Sequence, residues 1–213
     1  MVTSAAQPEI PRNTVAEGNL RNQRTITAYE GYARNYALLI GPDPSADDEL
    51  SMRTFLAHIP SGGHVLEVGS GTGHSADFLE ENGVRVRRTD ATRAFLEIQS
   101  ERGRHAELLN VLTDDVGGPY DGIIALCVLI HIDKSQLEMV LVKLRQALRP
   151  SGCFLLSMRE GDGAVESGPW YTALWRDANL RKGYSNARLT VLWTHRHVDV
   201  DGDRWITHLL QRQ

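Results

Sequence analysis

A chain of 213 residues with 41% hydrophobic content holds enough apolar surface for one core and little for a second. Its net charge of -4 argues against a broad nucleic-acid surface, which needs an excess of Lys and Arg. Neither the opening MVTSAAQPEIPRN nor the longest apolar run, IIALCVLI at 123–130, supplies a secretory core or the roughly 20 apolar residues of a membrane helix.

Residues 1–20 are polar, contain Pro8, Pro11 and Gly18, and lack periodicity, which predicts a flexible N-terminal arm. Helical spacing begins near Leu20, where Ile26, Tyr29, Ala33, Tyr36 and Ala37 recur on one face. GPDPS at 41–45 breaks that helix, and a second one over 48–59 stops before Pro60. Residues 21–60 therefore predict a helical lid, and 61–213 a single α/β core.

Strand and helix then alternate. HVLEVG (64–69) is a strand, HSADFLEEN (74–82) a helix ended by Gly83, and VRVRRTD (84–90) a strand. The arginines of VRVRR read as strand residues near a sheet edge rather than as a basic patch. A helix over 92–102 ends at Gly103, and strands follow at 106–111 and 120–129. A helix over 133–148 closes at RPSG, and CFLLSMR (153–159) is the fifth strand. GDGAVESGPW (161–170) reads as a substrate loop, and 170–182 as a helix. Strands at 188–200 and 204–212, joined at Asp201–Gly202–Asp203, form a closing hairpin. This order predicts a doubly wound, mostly parallel seven-stranded α/β sheet with an antiparallel terminal hairpin.

The first strand runs into VLEVGSGTG (65–73), so Gly69, Gly71 and Gly73 fall where a doubly wound sheet binds its ligand. Glycine there permits positive φ and close approach of the backbone to a ligand. A dinucleotide fingerprint, G-x-G-x-x-G, would place its third glycine at His74; here it stands one place earlier. Glu67 precedes the loop. About twenty residues further on, Asp90 ends the second strand, where an acid accepts hydrogen bonds from ribose hydroxyls.

With these residues the sequence resembles the class I S-adenosylmethionine-dependent methyltransferases, from about Tyr29 to the C-terminus. The resemblance implies a site for S-adenosylmethionine, with S-adenosylhomocysteine as product, built from Glu67, Gly69, Gly71, Gly73, Asp90 and its neighbour Ala91. Asn110 and Val111 match the adenine edge, with Asn where the family often has Asp; its carbonyl oxygen still accepts from an exocyclic amine. Cys127 matches a pocket-lining position. AYEGYARNYA is similar to the family's opening helix, which places Tyr29 and Tyr36 over the cofactor and Tyr32 beside the acceptor.

Methyl transfer needs an in-line acceptor, exclusion of water and in some cases removal of a proton. His131, directly after the fourth strand, is the first candidate base, because an unperturbed His titrates near neutrality. Tyr29 is the second candidate. Glu160, after the fifth strand, and Trp170 are expected in the acceptor site. His195 and His197 form an H-x-H pair with metal-binding spacing on a strand, but the sequence offers no third ligand, so no metal site is expected. Cys127 and Cys153 read as buried thiols.

The implied activity is methylation of an O, N or C nucleophile of a small molecule, such as an aromatic or indole-like secondary metabolite. The expected setting is cytoplasmic, as monomer or homodimer, with no nucleic-acid or membrane partner. Two other readings stay open: a non-catalytic S-adenosylmethionine-binding subunit, and a nicotinamide-dependent oxidoreductase.

Overall fold

The computed structural model describes residues 12–213, so most of the predicted arm lies outside the described residues. The first helix, α1 (Arg12–Ile40), begins well before Leu20. Residues 12–20, expected to be irregular, are therefore helical. Gly18, read as a loop signal, is instead a close-contact position: a Cβ there would lie 2.3 Å from Gln136 Oε1. Asn19 Oδ1 accepts from Gln136 Nε2 at 2.8 Å, which fastens this first stretch to the body.

The second helix, α2 (Ala46–Leu56), starts at Ser45, whose hydroxyl accepts from Asp48 N. Asp47, Asp48 and Glu49 in its first turn complement the positive end of the helix. Met52 and Phe55 bury its inner face.

The core alternates β1 (His64–Val68), α3 (His74–Glu81), β2 (Arg85–Asp90), α4 (Arg93–Glu101), β3 (Glu107–Leu108) and β4 (Tyr120–Ala125). It continues with α5 (Leu137–Ala147), β5 (Leu148–Arg159), β6 (Ala164–Ser167), β7 (Trp170–Ala173), α6 (Asp177–Asn186), β8 (Leu189–Val198) and β9 (Arg204–Arg212). The seven-stranded sheet has the order β3-β2-β1-β4-β5-β9-β8. β1 to β5 are parallel, and β9 pairs antiparallel with both β5 and β8. The winding reverses between β1 and β4, which opens a crevice at their carboxyl ends. At the hairpin turn Asp199 Oδ1 accepts from the backbone N–H groups of Asp201 and Asp203.

Arginine stems of β2 pack under neighbouring elements. Arg88 is buried and pairs with Asp77 (2.7 Å) and Glu80 (2.6 Å) of α3, while Arg87 pairs with Glu107 at 2.8 Å.

Three segments differ from the sequence expectation. Residues 170–173 form β7, paired with β6, rather than the start of a helix. Gly168, at φ +59°, makes the turn, and the alternating burial of Trp170, Tyr171, Thr172 and Ala173 follows a strand period. Strand β4 stops at Ala125, because Cys127 takes a left-handed φ of +59° and Leu129–His131 forms a 3-10 turn. Lys134–Gln136 is likewise a 3-10 turn, started by the Asp133 side chain accepting from Ser135 N, so α5 begins only at Leu137.

Candidate active site

A cavity enclosing about 750 Å³, its open mouth included, lies at the carboxyl ends of β1, β2 and β4. Its floor is the β1–α3 loop. Gly69 and Gly71 line it with φ of +67° and +51°. A Cβ on Gly69 would lie 2.4 Å from Val128, whereas Gly71 faces open space. Gln99 of α4 steadies the loop by donating to Ser70 Oγ at 2.7 Å and to the Gly71 carbonyl at 2.8 Å. Gly73 belongs to that scaffold. It caps α3 with φ +84° and does not line the cavity; a Cβ on it would strike Gln99.

Asp90 and Ala91 line one wall. The Asp90 carboxylate is buried and accepts from Gly71 N (2.9 Å) and Thr92 N (2.8 Å). Each oxygen keeps a second lone pair for a ligand hydroxyl. Burial pushes its pKa up to about 6, against the pull of those backbone donors.

Asn110 and Val111 line the wall beyond β3. Asn110 Oδ1 accepts from Leu112 N at 3.0 Å, and its Nδ2 donates to Asn22 Oδ1 at 2.9 Å, so the amide is oriented from both ends.

Cys127 also lines the cavity, beyond the strand in which the sequence placed it. Its N–H donates to Ser157 Oγ at 2.7 Å, and burial pushes the thiol up to about 12, so it stays protonated.

The roof is α1, which contributes Asn22, Thr25, Ile26, Tyr29 and Tyr36. These positions share one helical face. Sequence reasoning found the two tyrosines and missed the other three, although their spacing to Tyr29 carried the signal. Phe95 of α4, also missed, closes the aromatic wall, with ring centroids 5.6 Å from Tyr29 and 5.7 Å from Tyr36. Glu30 fastens the roof by accepting from the first N–H groups of α4, Arg93 N at 2.8 Å and Ala94 N at 2.9 Å. Arg21 pairs with Asp133 at 2.8 Å.

His131 and Tyr29 meet inside this space. Tyr29 Oη lies 3.3 Å from His131 Nε2, and His131 Nδ1 lies 2.8 Å from the Tyr171 carbonyl. A carbonyl only accepts, so Nδ1 carries the hydrogen and Nε2 accepts from Tyr29. Burial lowers the His131 pKa, which keeps the ring neutral at pH 7. Burial likewise pushes Tyr29 up to about 12, so its role is that of a neutral hydroxyl.

The three residues expected at the acceptor stand elsewhere. Trp170 packs on Tyr29 at 4.7 Å and on Tyr32 at 5.8 Å between centroids, and neither Trp170 nor Tyr32 lines the cavity. Glu160 is turned away from the cavity, toward Arg204 (3.0 Å) and Arg196 (3.5 Å) of the terminal hairpin. The chain after β5 runs alongside that hairpin, and the two guanidiniums hold the acid there.

Glu67, at the end of β1, is buried outside the cavity lining, and its Oε2 has no hydrogen-bond partner. Burial pushes its pKa up to about 8. The folded protein thus holds a proton that the unfolded chain releases above the ordinary carboxylate range near 4.3. That contribution to stability is fully present below this range and is lost as pH rises through 8. We expect wild-type stability to fall by about 2 kcal/mol between pH 6 and pH 8, and Glu67→Gln to flatten that slope. Urea denaturation at the two pH values checks it; equal slopes for both proteins would mean that Glu67 is ionised when folded.

The H-x-H pair gains the neighbour that the sequence could not supply. His195 Nε2 donates to Asp47 Oδ1 at 2.6 Å, and ligand atoms of Asp47, His195 and His197 all lie within 4.8 Å of one another. The expectation of no third ligand fails because α2 packs on the terminal hairpin and brings a residue 148 positions away in sequence.

Residues 66–154 match a family model described as a methyltransferase domain. That stretch carries the glycine loop, Asp90 and His131, and the seven-stranded order with its antiparallel terminal hairpin is the class I methyltransferase fold. By sequence, no curated protein matches it. Among solved structures it is similar to the 1,6-didemethyltoxoflavin-N1-methyltransferase of Burkholderia thailandensis, solved with 1,6-didemethyltoxoflavin and S-adenosylhomocysteine bound. That match has a TM-score of 0.75 at 19% identity, covering 99% of this chain and 93% of that one. The [4+2]-cyclase SpnF is similar at TM-score 0.70 and 12% identity, over 87% of this chain and 94% of that one. The CcbJ methyltransferase of Streptomyces caelestis follows at 0.62 and 18%, over 80% and 90%. Among the described residues no helix is long and apolar enough to cross a membrane.

Proposed function

We propose that the protein transfers the methyl group of S-adenosylmethionine to a nucleophilic N, O or C atom of a small, electron-rich ring, with His131 as general base and α1 as the lid. The observation that carries this reading is the neutral His131 with Nε2 turned to Tyr29 in the cavity. The chain's own groups fit the cofactor. Asp90 offers free lone pairs to two hydroxyls, and Gly71 leaves open space where a side chain would stand. When bound, S-adenosylmethionine supplies an electrophilic methyl carbon on a sulfonium.

The chain does the rest. Tyr29, Tyr36 and Phe95 exclude water and offer flat walls to a ring. Tyr29 orients the acceptor through its hydroxyl, and His131 Nε2 takes the acceptor's proton where one must leave. The small-molecule ligand seen in the Burkholderia enzyme supports an acceptor of compact size.

Calorimetry with S-adenosylhomocysteine, beside NADH as control, tests the reading. We expect micromolar binding of S-adenosylhomocysteine alone, followed by transfer of labelled methyl to an aromatic acceptor. Binding of NADH alone, in folded protein, would overturn the reading. Binding of S-adenosylhomocysteine without methyl transfer to any of a broad acceptor panel would favour a non-catalytic or cyclase-like use of the same fold.

A further inference from the structure

We propose a transition-metal site of the zinc class formed by Asp47, His195 and His197, between the start of α2 and the edge strand β8. Side chains two apart on a strand share a face, so the two imidazoles project together. Their rings lie 5.8 Å apart between centroids and only 19° from parallel, and Trp193 stacks on the outer side of His195 at 5.6 Å. Asp47 reaches them from the first turn of α2 and holds His195 Nε2 at 2.6 Å. The ligand atoms of the three residues already sit within 4.8 Å of one another.

A second, independent feature points to a ligand. His197 Nδ1 is buried and has no hydrogen-bond partner among the described residues. An unpaired buried ring nitrogen costs free energy, and a cation bound beside it removes that cost.

The donor set selects the ion. Two imidazole nitrogens and one carboxylate oxygen suit zinc and its first-row neighbours better than magnesium or calcium, which prefer oxygen ligands. Three protein ligands leave a fourth, tetrahedral position for water. On binding, the hydrogen on His195 Nε2 moves to Nδ1, the ring stays neutral, and the Asp47 carboxylate passes from hydrogen-bond acceptor to metal ligand. The ion would then join the start of α2 to the sheet edge, where the His195–Asp47 hydrogen bond now links them.

The test uses tag-free, EDTA-treated, full-length protein titrated with zinc chloride by calorimetry, with thermal unfolding in parallel. We expect one equivalent to bind with micromolar or tighter affinity and to raise Tm. Asp47→Asn, which keeps the side-chain volume, and His197→Ala should each weaken binding at least tenfold. The double variant His195→Ala/His197→Ala should lose the stoichiometric site, while His105→Ala should bind as wild type. None of these positions lines the cavity, so S-adenosylhomocysteine affinity reports that each variant is folded. Absence of a one-equivalent site in folded wild type, or its survival in the double variant, would overturn the proposal.

Discussion

Replacing His131 by alanine is expected to lower kcat by about 10²–10⁴-fold, the usual contribution of a positioned general base, with S-adenosylhomocysteine affinity nearly unchanged. The expectation rests on three features. The ring is buried, so it is neutral before the acceptor binds. Its Nδ1 hydrogen is fixed on the Tyr171 carbonyl, so Nε2 alone is free to take a proton. Its Nε2 is hydrogen-bonded to Tyr29 Oη, a neutral hydroxyl that an acceptor can displace or share. Tyr29→Phe should cost less, because the hydroxyl orients and does not hold the proton. Single-turnover rates at saturating acceptor separate the two effects from binding. Normal turnover in His131→Ala would mean that the acceptor needs no base and that His131 serves to hold β7 through Tyr171.

Asp90→Ala should weaken S-adenosylhomocysteine binding by about 2–3 kcal/mol, roughly 30–150-fold, as expected when a buried charged acceptor of hydroxyl groups is lost. The same carboxylate holds Gly71 N and Thr92 N, so the variant also loosens the loop and the start of α4. The wild-type pH profile gives a second check. With the Asp90 pKa pushed up to about 6, the ionised form that accepts two hydroxyls is lost as pH falls through 6. Affinity should therefore be level above that value and decline below it, and Asp90→Asn should abolish the dependence. Calorimetry from pH 5 to pH 8 reads both; unchanged affinity in Asp90→Ala would remove this residue from the site.

Much of this arrangement was written locally. The sheet, its reversal point and the glycine loop follow from strand–helix alternation and from residues a few positions apart. Asp90 was legible because strand length alone carries it to the crevice. What stayed hidden depended on distant packing. Gly18 looks like a loop residue until Gln136 is placed against it. Trp170 and Tyr171 fit either period, and only pairing with β6 makes them a strand. Glu160 stands at the right end of β5, but the terminal hairpin presents two arginines that hold it aside. Asp47 and the H-x-H pair meet only because α2 lies over the hairpin.

The roof and the floor of the cavity come from different parts of the chain. Asp90, the glycine loop and His131 fall within 66–154, the stretch that matches the methyltransferase-domain model. The α1 face and the β6–β7 hairpin, whose Tyr171 carbonyl steers His131, lie outside it. The floor and the roof of the cavity therefore sit on separate stretches of the chain. Under the proposed reaction, exchanging residues 12–40 and 164–173 between enzymes of this fold is expected to alter acceptor choice and the α1 roof together, with Asp90 and the glycine loop left in place.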